Sequence, residues 1–314
     1  MVQFGLVMFN RGPYSSPENL TAFAQQAEKL GYGFLAVNDH VVIPRTPRPG
    51  HGDKTVGNTM NYFDPLVTMM YVGGKTERIR IGTSVLILPH RPPLPTAKAL
   101  ASLDVFLGGR LFVGVGTGWW PEEFEAIGIG DQFAERGDRT DEYLAIFKNV
   151  WQEANPSFAG KYHRYENIEF SPKPVQPGGP PIWVGGSKGR ALRRMAAMGD
   201  VWHPSVTSRE QNRTPAGFAE SRKKMQALME QAGRDPDQLQ IALRSTIRID
   251  PPGTPPKQAW VGPSEHLAES IRAYAAAGLT HLAVYFHGET DGTPFSRVME
   301  SMHQLAEEVM PHCR

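Results

Sequence analysis

The chain reads as an α/β protein built as one (β/α)8 TIM barrel. Three observations predict it. Eight short apolar runs of strand length recur along the 314 residues, stretches with helical periodicity separate them, and no Pro/Ser-rich or charged linker divides the chain into two units. Parallel neighbours need a crossover connection, and the intervening helices supply it.

The first run, residues 2–9, is strand-like and is followed by a turn at Gly12-Pro13. Ser16-Pro17-Glu18 then marks a helix start, with Ser16 as the N-cap and Pro17 as the first helical residue. Leu20, Phe23, Ala27 and Leu30 share one face of that helix, and Gly31 stops it. Residues 34–37 form a second buried strand. A helix near 65–73, a strand at 79–86, a helix at 95–107 and a strand at 111–115 continue the alternation. Strands at 182–184, 201–203, 241–249 and 281–286 complete the set. Two stretches break the pattern: 41–62, rich in Pro, Gly, Arg and His, and 158–181, where Tyr162, Tyr165, Ile168 and Phe170 suggest a small hairpin before a Pro/Gly-rich return. Both are expected to overhang the C-terminal ends of the strands, as insertion loops of a single domain spanning 1–314.

Composition narrows the function classes. Lys plus Arg total 33 and Asp plus Glu 32, a net charge of +1, so no overall field draws in nucleic acid or an anionic membrane. The one cysteine, Cys313, forms no internal disulfide, which suits a reducing cytoplasm. The first ten residues lack the charged leader and apolar region of a signal peptide, and no run approaches the ~20 apolar residues of a membrane span. The expectation is a soluble cytoplasmic protein acting on small molecules.

In a (β/α)8 barrel the reactive groups stand at strand C-termini. There the sequence offers Asn10; Asn38, Asp39 and His40; Ser84, Val85 and His90; Gly116, Thr117 and Gly118 with Trp119 and Trp120; Gly185, Gly186 and Ser187; His203; and His287. The run Gly114-Val115-Gly116-Thr117-Gly118 lacks the spacing of a dinucleotide fingerprint. Its glycines suit close approach of a flat ligand or a phosphate, and they equally suit a tight strand-to-helix turn. Gly185-Gly186-Ser187 opens a helix carrying Arg190, Arg193 and Arg194, a combination that reads as a phosphate seat or as an ordinary Ser-capped helix. Asp39-His40 reads as an acid/base pair or as the anchor of the following loop. No His-x-His follows the first strand, so no metal site is expected. Trp119 and Trp120 can wall a planar ring or an apolar substrate, or pack the helix opened by Pro121. His281, at the start of the last strand and the opposite end of the barrel, reads as structural.

Together these segments resemble the luciferase-like monooxygenase superfamily, and within it the subgroup that uses the deazaflavin coenzyme F420. The pieces are Gly31-Tyr32-Gly33-Phe34 leading to Asn38-Asp39-His40; Arg80-Ile81-Gly82-Thr83-Ser84-Val85; Gly109-Arg110 leading to Gly114 through Trp119 with Glu122-Glu123-Phe124; Pro181 through Gly186; Gly199 through Pro204; and Gly278 through Leu282. The likeness covers nearly the whole chain, and its strength lies in the order of the pieces. It implies a cofactor pocket at the C-terminal face, F420 or alternatively FMN in that pocket, and a homodimer. By motif, Asp39 and His40 approach the ring as the catalytic pair, Ser84 and Val85 lie behind it across a cis peptide bond, and Gly116, Thr117 and Gly118 with Gly185, Gly186 and Ser187 hold the ribityl phosphate. Trp119, Trp120 and His203 are then expected beside the substrate. Val201, in the sixth strand, departs from the glycine that relatives often carry after the Asp. A non-catalytic flavin-binding protein is the alternative of another class, and retention of Asp39-His40 argues against it.

Overall fold

The structure is a computed structural model, and it describes residues 2–44, 61–206, 211–286 and 293–313. Eight strands close a ring: β1 (Gln3–Val7), β2 (Phe34–Val37), β3 (Arg80–Thr83), β4 (Leu111–Gly116), β5 (Ile182–Gly185), β6 (Val201–His203), β7 (Gln240–Ile249) and β8 (His281–Phe286). All neighbours are parallel, with Gln3 opposite His281 and Gln240 opposite Val201, so the sheet has no open edge. Outside run α1 (Pro17–Lys29), α2 (Pro65–Gly73), α3 (Pro93–Phe106), α4 (Pro121–Ala126), α5 (Arg136–Gln152), α6 (Gly189–Met198), α7 (Pro215–Gln231), α8 (Ser264–Ala276) and α9 (Phe295–Gln304). Among the described residues no helix is long and apolar enough to cross a membrane.

Local chemistry explains the element ends. Ser16 Oγ accepts the Asn19 N–H at 3.2 Å, Pro17 opens α1, and Leu20, Phe23 and Ala27 are buried as their spacing predicts. The strand expected over 79–86 is split. The Ser84–Val85 peptide bond is cis, as the family resemblance implied, and the chain resumes at Leu86–Ile87 paired with β4, Leu86 opposite Val115.

The stretch 158–181 departs from expectation. It follows α5 rather than β4, and its hairpin runs back along that 17-residue helix on the outside of the barrel as far as Glu135, which Lys161 bonds at 2.9 Å. Its antiparallel hairpin, Phe158–Ala159 with Arg164–Tyr165, lies along α5: Tyr165 Oη donates to Asn149 at 2.8 Å, and His163 Nδ1 bonds Glu142 at 2.9 Å. The rest returns to the start of β5. Of the other stretch, 41–62, only 41–44 and 61–62 are described, and they leave and re-enter at the C-terminal side of β2.

Inside the ring the N-terminal half is plugged with rings. Phe112 and Trp183 stack at 4.1 Å, and Phe34 meets them edge-on at 5.8 and 5.1 Å. Gly82 makes room for this layer, since a Cβ there would stand 2.5 Å from the Phe112 ring.

Candidate active site

A cleft of about 400 Å3 opens at the C-terminal ends of the strands. Of the expected site residues, Asp39, His40, Ser84, Val85, Trp119, Gly185 and Gly186 and all three of Gly116, Thr117 and Gly118 line it. Trp120, Ser187 and His203 do not. His287 lies outside the described residues.

The end of β2 is fixed first. Asn10 Nδ2 donates to the Asn38 carbonyl at 2.9 Å and Asn10 Oδ1 accepts the Asn38 N–H at 3.2 Å, locking the tips of β1 and β2 together. Asp39 is 4% exposed, and its oxygens are taken: Arg91 binds both, at 2.6 and 2.9 Å, and the Ile87 N–H donates at 2.8 Å. Burial works against the Arg91 charge, but Asp39 and Asp64 outweigh it and raise its pKa. Asp39 thus anchors the segment after β3, and the sequence-based pairing of Asp39 with His40 gives way to another.

The carboxylate on His40 is Glu123, the third residue of α4. Its Oε2 stands 2.8 Å from His40 Nδ1, its Oε1 accepts the Val41 N–H at 2.7 Å, and the side chain is 1% exposed. Burial alone would push the Glu123 carboxyl up; hydrogen bonding from His40, the nearby histidines and the Val41 N–H more than reverse this and hold it below the ordinary value. An ionised carboxylate only accepts, so Nδ1 of His40 carries the proton. Its Nε2 has no hydrogen-bond partner among the described residues and stands at the cleft. Tyr62 and the two indoles meet the imidazole edge-on at 5.6 to 6.2 Å. Trp119 is 38% exposed and stacks at 4.8 Å on Trp120, which is 2% exposed, so Trp119 faces the cleft while Trp120 backs it.

Behind the cleft lies the Ser84–Val85 bulge. His203 is buried beneath it rather than open to a substrate. Its Nδ1 lies 2.6 Å from the Ala242 carbonyl, which can only accept, so Nδ1 bears the hydrogen. Burial pushes its pKa down to about 4, so the ring is neutral and Nε2 accepts the Ser84 hydroxyl at 2.8 Å. Arg244 Nη1 donates to the Ser84 carbonyl at 2.7 Å. Val85 fills the space that the glycines leave. A Cβ on Gly116 would stand 2.5 Å from Val85 Cγ2, and one on Gly185 3.1 Å from Cγ1. These two glycines therefore serve the bulge directly. Gly186 adopts φ +102°, which side chains rarely tolerate, and its carbonyl accepts the Trp202 indole N–H at 2.8 Å.

The expected phosphate seat is only partly assembled. Lys188, not Ser187, occupies the N-cap position of α6, and no side chain caps the helix. Arg190 pairs with Asp138 and Asp141, Arg193 is exposed, and Arg194 alone reaches the cleft, where Asp141 and the Gly137 carbonyl hold it. Arg11 and Arg244 also line the cleft, and Asp39, its one acidic lining residue among the described residues, is paired with Arg91. Arg91, Arg11 and Arg244 were not singled out from the sequence, and Glu123 entered only within a segment of the family resemblance, with no role assigned. Glu123 lies 83 residues from His40 and Arg244 160 residues from Ser84, and no local pattern signals either pairing.

Comparisons with known proteins show the family and the fold. A family model described as luciferase-like monooxygenase matches residues 2–253. The F420-dependent hydroxymycolic acid dehydrogenase of Mycobacterium tuberculosis is 30% identical over 223 residues, 71% of this chain and 56% of that protein. The FMNH(2)-dependent dimethylsulfone monooxygenase of Pseudomonas putida is 39% identical over 129 residues, 41% of this chain and 35% of that one. In fold, the coenzyme F420 dependent tetrahydromethanopterin reductase of Methanopyrus kandleri superposes with a TM-score of 0.77 at 16% identity, covering 100% of this chain and 99% of that one.

Proposed function

The chain belongs to the luciferase-like monooxygenase family, and from that premise we propose that it is an oxidoreductase using coenzyme F420 for hydride transfer to or from a small organic substrate. The observation that carries the reading is His40: one ring nitrogen is fixed by a buried, ionised Glu123 and the other faces the cleft. The residues present fit a phosphate-bearing tricyclic cofactor. Val85 gives an apolar floor, the Gly116–Gly118 and Gly185–Gly186 turns bring backbone to the surface, and the guanidinium groups of Arg11, Arg194 and Arg244 supply donors for anionic oxygens. When bound, such a cofactor supplies the hydride acceptor or donor. His40 Nε2 gives or takes the proton at the substrate oxygen, and Glu123 steadies the imidazolium that forms. Trp119 walls the substrate side and helps exclude water.

F420 is preferred because the match to an F420-dependent relative extends over 71% of this chain. The 39% identity to an FMNH(2)-dependent relative favours a second reading, FMN-dependent monooxygenation. Titrating the purified protein with F420, FMN and FAD, followed by absorbance or fluorescence, decides between them. Tightest binding of F420, with redox turnover, is the expected result; tighter FMN binding with oxygen consumption overturns it, and binding without any turnover points to a flavin-binding protein. A homodimer is part of the same reading. It is supported by the apolar face of α2 and α3, where Val67 is 69% and Phe106 70% exposed beside Met70 and Tyr71. Sedimentation should show a dimer that Phe106→Glu weakens.

A further inference from the structure

A second cavity, of about 440 Å3, lies at the other end of the barrel, between the N-terminal strand ends and the segment entering β5. Its wall is polar, and several of its groups lack partners. The guanidinium of Arg80, the first residue of β3, makes no hydrogen bond or ion pair among the described residues. Burial pulls its pKa down, and Asp104 restores only part of that from a distance. Asp200, the one carboxylate of the wall among the described residues, accepts the Ile182 N–H at 2.7 Å and makes no ion pair with Arg80. Lys148 adds a second cation, with one of its three donors on the Met198 carbonyl at 3.0 Å. The indole N–H of Trp183 is buried and unpartnered in the same wall.

His281 supplies the complementary group. Thr280 Oγ1 spends its own hydrogen on the Ile241 carbonyl at 2.9 Å, so it can only accept from His281 Nδ1, also at 2.9 Å. Burial, and then the neighbouring Arg80 charge, push the His281 pKa down to about 4. The ring is neutral, and Nε2 presents an unused lone pair. The Arg80 guanidinium fork has no anion and the His281 acceptor no donor among the described residues, so both are available to a ligand in the cavity.

We propose that this cavity is a second ligand site, taking a small oxyanion that also carries a hydroxyl: a hydrogen phosphate or a 2-hydroxycarboxylate. The anionic oxygens pair with the Arg80 fork, and the hydroxyl donates to His281 Nε2. The site is separate from the C-terminal cleft and stands independently of the cofactor assignment.

The test follows the ring resonances of His281 in histidine-labelled protein during titration with inorganic phosphate, lactate and acetate. Phosphate or lactate should shift them saturably, and acetate, lacking the hydroxyl, should bind several-fold more weakly. The tighter of the two binders identifies which source the site prefers. Arg80→Met should raise the dissociation constant at least tenfold, and Arg80→Lys, which keeps charge but loses the fork, should raise it less while preserving the fold. No saturable shift with either hydroxylated anion, or unchanged affinity in the Arg80→Lys and Arg80→Met proteins, overturns the proposal.

Discussion

At the N-terminal end of the barrel, Phe34, Phe112 and Trp183 fill the ring by packing against one another; at the C-terminal end, Gly116 and Gly185 make room for Val85, and the strands open onto a cleft. The first layer holds by apolar burial. The second holds by hydrogen bonds that each fix one group: Asp39 by Arg91, His40 by Glu123, Ser84 by His203 and Arg244. The same strands thus separate stability from chemistry along their length, as parallel barrels do. The separation is incomplete, since His203 and His281 place neutral imidazoles at both levels of the interior.

Four substitutions or titrations probe that division. The largest effect belongs to His40→Asn, which removes the proton-transfer group. Turnover should fall by about 10²–10⁴-fold with cofactor affinity within a few-fold, and near-normal turnover on the true substrate would sink the assignment. Next is Phe112→Ala in the plug, which should lower unfolding stability by about 3–5 kcal/mol in urea denaturation while cofactor affinity stays as it was. A weakened cofactor site in that variant would break the comparison, because the two ends would then be coupled. Gly186→Val forces a side chain onto φ +102° against the Ala191 Cβ, 2.8 Å away. The strain, on the order of 1–3 kcal/mol, falls on a turn that lines the cleft, so cofactor affinity should drop roughly tenfold; unchanged affinity would move the cofactor elsewhere.

The remaining effect is a pH slope. His203 and His281 bind protons at about pH 4 when folded, against an ordinary histidine value of 6.5. Between those values the unfolded chain takes up protons that the folded protein refuses. Stability is therefore fully present above about pH 6.5 and is lost as the pH falls toward 4. The loss is on the order of 1.4 kcal/mol per histidine for each unit of displacement. Urea midpoints measured across this window should fall with acidity, and His203→Asn should flatten the fall; an identical slope would show that the buried imidazoles do not control it.

Much of the fold was legible locally. Strand and helix periodicity, the Ser16 cap with Pro17, and the glycine stops need only neighbouring residues, so the alternation of the barrel and the membership of Asp39, His40, Ser84, Val85 and the glycine turns in one face followed from the chain alone. The placement of 158–181 did not follow, because composition marks a loop without saying on which side of a helix it emerges. The Ser187 assignment was likewise ambiguous, as a hydroxyl before a helix caps only if the backbone turns at that residue, and here it turns at Lys188.

Sequence by itself therefore determined the barrel and the set of residues gathered at its C-terminal end, because both depend on a short-range code of periodicity and strand order. Only the tertiary structure decided the partners. Arg91 rather than His40 takes the Asp39 carboxylate, Glu123 rather than Asp39 holds His40, and His203 supports Ser84 from below. Those pairings join segments tens of residues apart. Their outcome rests on which side chains the closed ring brings within about 3 Å of one another, the range in which a buried charge or donor must find its partner.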